Sequence, residues 1–199
     1  MGRKSLADQR RAEILTAFFD CVEDQGFGGA SLRKVAARAG VQTSVLHHYF
    51  SGREEMIQEL VRTYTEDLFE DFEQFSKAQG DPRARLIQGI EFIFSPAMIN
   101  PRSNGFFMEC CAQARTSPAV RESLARLFER FRGAIAGQLA ALPAFEGRSR
   151  AELDALAALI TAMHEGMELQ WFADPGAVDL DRAGALVREW IDHLSQIPE

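Results

Sequence analysis

The sequence predicts an all-α protein, and three observations carry that expectation. Apolar residues recur every three or four positions along most of the chain, as on the buried stripe of a helix. No β-branched run and no sustained alternation of apolar with polar residues is present. The breaks between periodic stretches carry helix-ending and helix-starting chemistry: Gly26, Gly40, Asp81-Pro82, Ser117-Pro118, Ser149 and Asp174-Pro175-Gly176. At 199 residues and 46% hydrophobic, the chain can bury a core without disulfide or metal staples.

In order, residues 1–8 read as a polar tail. A first helix is expected over Gln9–Gln25, with Ile14, Leu15, Phe18, Cys21 and Val22 on one face. Gly26 ends it, and Phe27 is placed to pack back onto it. Ser31 is an N-cap candidate for a short helix whose small apolar face is Leu32, Val35, Ala36 and Ala39, closed by Gly40. After Val41, a second short helix buries Val45, Leu46 and Phe50. It leaves Gln42, Thr43, Ser44, His47, His48 and Tyr49 outward or sideways. Periodicity alone supports a helical hairpin here. A long helix follows over Arg53–Lys77, with Leu60, Tyr64, Leu68, Phe72 and Phe75 as its stripe.

Further helices are expected from Pro82, over Phe106–Arg115, from Pro118 to Ala141, from the Ser149-x-x-Glu152 capping box to Ala173, and over Leu180–Ile197. Asn100-Pro101 is read as loop. The sum is nine helices: three in a head over residues 1–53 and six in a body over residues 54–199.

Charge separates the two parts. Residues 1–53 are net +3, and the remainder is net −10, within a chain of net −7. A basic head on an acidic body suits a polyanion met by the head alone, although charge by itself leaves chance asymmetry equally open. The three cysteines, Cys21, Cys110 and Cys111, have no metal spacing and read as free thiols of a reducing compartment. No signal peptide is visible, and no apolar stretch approaches the ~20 residues a membrane span needs. A cytoplasmic location with no membrane partner is expected.

The stretch ILTAFFDCVEDQGFGGASLRKVAARAGVQTSVLHHYFSGREEM resembles the TetR family of bacterial transcriptional regulators. His47 stands where that family usually has Tyr. Arg53 stands where it usually has Lys, which keeps a phosphate-binding charge. The body resembles the family's BetI-like branch through Ser117-Pro118-x-Val120-Arg121 and Glu165-Gly166-Met167-x-Leu169-Gln170, followed by Asp174-Pro175. The resemblance implies a three-helix helix-turn-helix head and a ligand-binding, dimerising bundle. A homodimer would place two recognition helices about one DNA turn apart, ~34–36 Å, on a palindromic double-stranded operator. Arg10 or Arg11, Lys34 and Arg53 would hold phosphates. Thr43, Ser44, His47 and His48 would read base edges, with Ser31, Gln42 and Tyr49 beside them.

For the body, the resemblance implies a small-molecule effector that releases a repressor from its operator. The expected lining is Phe72, Phe94, Met98, Phe107, Cys110, Met167 and Trp171, with His164 or Glu168 as polar anchor. By themselves Met and aromatic stripes are more often plain core, and only the resemblance raises the pocket reading; His164 with Glu168 is equally an exposed pair at a subunit interface. HEGME lacks the final His of HExxH, so no metal is expected, and no cofactor motif is present. The last two helices are the expected dimer faces, through Leu153, Leu156, Ile160, Leu186, Val187, Trp190 and Leu194. No catalytic nucleophile or phosphate loop is visible, so no enzyme is expected. The alternative function is a ligand-binding or interaction protein whose helix-turn-helix has lost DNA binding.

Overall fold

The computed structural model describes residues 6–77 and 81–194, and among these the chain forms nine α-helices, one 3-10 turn and no strand. The helices are α1 (Leu6–Gly29), α2 (Leu32–Arg38), α3 (Thr43–Tyr49), α4 (Arg53–Lys77) and α5 (Pro82–Ile93). They continue as α6 (Pro101–Gln113), α7 (Pro118–Ala140), α8 (Arg150–Ala173) and α9 (Leu180–Leu194), with the 3-10 turn at Pro143–Phe145.

Local chemistry accounts for most of the boundaries. Gly26 takes φ 67° and breaks α1, leaving a single further turn over Phe27–Gly29. Ser31 caps α2 by accepting from the Lys34 N–H at 3.4 Å. Gly40 adopts φ 66°, the left-handed conformation that ends a helix cheaply in glycine. Asp81 accepts from the Ala84 N–H at 3.1 Å to start α5. At α8 both halves of the capping box form: the Glu152 N–H donates to Ser149 Oγ at 3.3 Å, and the Ser149 N–H donates to Glu152 Oε2 at 2.9 Å.

Two helix starts differ from expectation. The first helix begins at Leu6 rather than Gln9. Helix α6 begins at Pro101, five residues before the expected Phe106. There Asn100 Oδ1 accepts from the Ser103 N–H at 3.0 Å, so Asn-Pro is a cap followed by the first helical residue rather than a loop. The expected end of the last helix, Ile197, lies outside the described residues.

The chain divides into two compact units. The N-terminal unit joins residues up to Thr65 with Gly105–Leu124; the other joins Glu66–Asn104 with the chain from Ala125 on. The core of the first unit is aromatic: Phe106 lies 4.5 Å from Phe19, 4.7 Å from Tyr64 and 5.9 Å from Phe27. The second has its own aromatic centre, in which Phe72 packs 4.8 Å from Phe131 and Phe69 packs 5.5 Å from Phe131. No described helix is long and apolar enough to cross a membrane.

Candidate nucleic-acid interface and buried acid cluster

Helix α3 is held from one side and open on the other. Leu46 and Phe50 are buried, while Gln42, Ser44, His47 and His48 are exposed and Thr43 and Tyr49 half-buried. The His48 and Tyr49 rings meet edge to face at 5.1 Å. The exposed residues carry both hydrogen-bond donors and acceptors and no full charge, the chemistry that reads base edges.

The basic residues around α3 fall into two groups. Arg10 is exposed and pairs with Glu13 at 2.7 Å. Lys34 is exposed, with its ammonium on the Gly29 carbonyl at 3.1 Å. Arg53 is half-buried and donates to the Phe27 carbonyl. Ser31 acts as the α2 cap. Arg11 corrects the expectation of a phosphate contact, because its guanidinium is consumed inside the unit. It donates to Glu59 Oε1 at 2.6 Å, to Glu55 Oε1 at 3.0 Å and to the Tyr49 carbonyl, and it lies 4.2 Å from the Phe50 ring centre. Glu55 also accepts from the Ser51 hydroxyl and N–H, and these bonds with Arg11 hold its carboxyl down at about 2. Arg11 therefore ties the end of α3 to α4.

The expected pocket residues are distributed over both units. Phe107 and Cys110 are buried in the N-terminal unit, and Phe72 belongs to the aromatic centre of the second unit. Met98 is buried, while Met167 and Trp171 are half-buried. Phe94, His164 and Glu168 do come together: the Phe94 ring stands edge-on to His164 at 6.0 Å, and His164 Nε2 is 3.8 Å from Glu168 Oε2.

Glu165, quoted in the sequence for the family resemblance but not as a pocket residue, joins them with Oε1 4.0 Å from the same nitrogen. Asn104 is the other unforeseen member. With its amide turned to satisfy both partners, it donates to Glu168 Oε1 at 2.6 Å and to the Asn100 carbonyl at 3.1 Å. Nothing in local spacing marks Asn104, whereas Glu165 was legible as the acid next to His164 in HEGME.

Burial dominates the electrostatics of this cluster. It pushes the His164 imidazole down to about 4, against a weaker opposing effect of the Ile93 carbonyl, so the ring is neutral at physiological pH. Burial, reinforced by the neighbouring Glu168, pushes Glu165 up to about 8. Burial pushes Glu168 up to about 7. The donor atoms lie within 4.8 Å of one another but no closer than 3.8 Å from the imidazole nitrogen.

A cleft of about 350 Å³ opens between α5 and α9, lined by Glu91, Phe94, Ser95, Leu180, Asp181, Gly184 and Arg188. Phe94 is the one residue it shares with the expected lining. Gly184 permits that packing, since a Cβ there would sit 3.3 Å from Phe94 Cβ.

The expected dimer faces are corrected in register. Leu153, Ile160 and Val187 are buried within the protomer, so they are core. Leu156 and Trp190 are half-buried, and the Leu194 side chain lies outside the described residues. The outward apolar surface of α8 is instead Leu159, Leu169 and Phe172, each close to half exposed, with Leu186 on α9 similarly open.

The comparisons agree with this architecture. Residues 14–60 match the profile of the bacterial regulatory proteins of the tetR family. Residues 82–196 match that of the BetI-type transcriptional repressor C-terminal domain. The HTH-type transcriptional regulator BetI of Burkholderia thailandensis is 26% identical over 196 residues, covering 98% of this chain and 97% of that protein. Its counterpart in Rhizobium meliloti is 25% identical, with coverage of 98% and 94%.

A crystal structure from Pseudomonas aeruginosa PAO1 superposes with a TM-score of 0.86 at 22% identity, covering 96% and 93% of the two chains. A Saccharomonospora viridis transcriptional regulator in complex with choline gives a TM-score of 0.80 at 17% identity, covering 94% and 97%. These two show the shared fold. The two profiles together span both units, and the chain belongs to the TetR family of transcriptional regulators, with a BetI-type repressor C-terminal domain.

Proposed function

We propose that the protein is a cytoplasmic, homodimeric, non-enzymatic repressor that α3 directs to a palindromic operator and that a small organic cation releases. The DNA-reading set is Gln42, Thr43, Ser44, His47, His48 and Tyr49, with Arg10, Lys34 and Arg53 on phosphates. Ser31 and Arg11 hold the helices that present them. The observation that carries this reading is α3 itself, anchored by buried Leu46 and Phe50 while its polar, uncharged face stays open. Residues 1–53 serve as the DNA-binding part, and the rest serves ligand binding and dimerisation.

The effector's cationic group sits against Glu165 and Glu168, with Phe94, Met167 and Trp171 as apolar and π-face neighbours. Support comes from the buried acid pair and from the choline held by the fold neighbour of Saccharomonospora viridis. The α5–α9 cleft is the approach, because Phe94 lines it and also contacts His164. The dimer packs through the outward face of α8 and α9, where Leu159, Leu169, Phe172 and Leu186 are open.

The test is a mobility shift on DNA selected from random fragments, with choline and its neutral tert-butyl analogue as probes. Choline should release the DNA and the neutral analogue should not. Release by both, or by neither, would remove the acid pair from the effector site, and failure to select any DNA would remove the operator reading.

A further inference from the structure

We infer that Glu109, a carboxylate on α6, is a positioning residue for DNA binding: it holds the Phe27–Gly29 turn, whose first carbonyl aims the Arg53 guanidinium at a phosphate. This rests on the phosphate assignment of Arg53 above. Phe27 is held at both of its backbone groups. Its N–H donates to Glu109 Oε2 at 2.8 Å, and its carbonyl accepts from Arg53. Gly26 makes the first bond possible, because it takes φ 67° and carries no Cβ in the space the carboxylate fills. The same turn gathers a second cation, with the Lys34 ammonium on the Gly29 carbonyl at 3.1 Å. These are the last carbonyls of α1, the end of a helix that draws cations.

A guanidinium presents its N–H donors in a rigid fork, and one carbonyl occupies only part of it. Arg53 gives one arm to Phe27, and among the described residues no carboxylate pairs with it. Arg10, Arg11 and Arg38 of the same unit each bind an acid instead. Arg53 is therefore oriented without being neutralised, which is what a phosphate anchor needs. Its own helix is tied down beside it, since the Ser117 hydroxyl donates to Glu54 Oε1 at 2.9 Å. Without the Glu109 bond, Phe27 is held from the Arg53 side alone, and carbonyl and guanidinium are free to swing away together. The loss falls on a contact that carries no sequence information, so binding weakens for every sequence alike. Charge alone gives the opposite sign, because an acid removed from a DNA-binding unit should tighten binding.

The experiment is fluorescence anisotropy of the full-length protein on its selected operator and on a scrambled duplex, from ~50 to ~200 mM salt. Two conservative variants, checked for folding by thermal unfolding, separate the bond from the charge. Glu109→Gln keeps an oxygen that can accept the Phe27 N–H and loses the charge. Glu109→Asp keeps the charge and is one methylene short of the 2.8 Å contact. Glu109→Asp should bind both duplexes more weakly, with a salt slope lower by about one unit, whereas Glu109→Gln should keep the full slope. In an Arg53→Ala background, Glu109→Asp should lower the slope no further. A full slope in Glu109→Asp, a reduced one in Glu109→Gln, or a further loss in the Arg53→Ala background overturns the positioning role and leaves the operator reading standing. An unchanged slope in Arg53→Ala alone overturns the phosphate assignment, and the inference with it.

Discussion

Two clusters in this molecule each set a pair of glutamates one turn of helix, or nearly so, around one basic residue, and they end in opposite states. In the N-terminal unit, Arg11 is charged and forked, and it bonds Glu55, Glu59 and the Tyr49 carbonyl at once. Glu55 is held down at about 2, first by the Ser51 hydroxyl and N–H and then by Arg11. On α8 the basic residue is His164, which burial strips of its charge, and Glu165 and Glu168 rise to about 8 and about 7. The difference teaches that an acid pair supplied with its own cation stays ionised, whereas one left without is pushed by burial towards the protonated form; the proposed effector would supply the missing cation.

The largest test of this contrast is Arg11→Met. It should leave Glu55 and Glu59 facing an apolar side chain and free the end of α3, shifting the denaturant midpoint clearly downwards. An unchanged midpoint would mean the cluster is not structural. Next is Glu165→Lys, which gives the α8 cluster an internal cation and makes it resemble the first. Choline affinity should then drop at least ~100-fold, because a fixed ammonium repels the ligand's charge, while operator binding persists. Unaltered affinity would dissolve the comparison.

The smallest effect is in the pH dependence of the unliganded protein. Carboxyls with raised values bind their protons more tightly when folded. Their contribution is therefore full below their ordinary range and is lost as pH rises towards about 8. His164, depressed to about 4, acts in the other direction, removing stability as pH falls from about 6.5 to about 4. With two such carboxyls against one imidazole, the unfolding temperature should peak near the ordinary carboxyl range, about pH 4.5, and decline from there towards pH 8. Glu165→Gln should flatten the alkaline limb only, and a limb that stays steep would place the titrating groups elsewhere.

The head was legible because its determinants are local. Ser31, Gly26 and Gly40 act within four residues of themselves, and the apolar spacing of α2 and α3 picks out the face that is buried. Arg11 was misread for the opposite reason: its partners lie 38 to 48 residues away, and no local pattern distinguishes a surface arginine from a clamped one. On α8 the difficulty is that apolar residues run nearly all round the helix. Leu153 and Ile160 turned out to be core while Leu159 and Leu169 face outward, a choice that periodicity cannot make. Glu165 was overlooked because attention to spacing of four residues on HEGME hides the acid next to the histidine. The measured 4.0 Å separation shows that adjacent side chains can still converge at their tips.

The seam at Gly26 bears on how such regulators can be recombined. A carboxylate from α6, Glu109, accepts from the Phe27 N–H at 2.8 Å and occupies the space beside Gly26, where any Cβ would come within 2.9 Å of it. Phe106, from the same helix, fills the centre of the N-terminal aromatic cluster. A chimera that grafts residues 1–53 onto a foreign body would therefore lose the group that seals the first helix and the ring that fills its core. The transplantable module is a discontinuous one, and a functional exchange of operator specificity has to carry α6 along with the recognition helix.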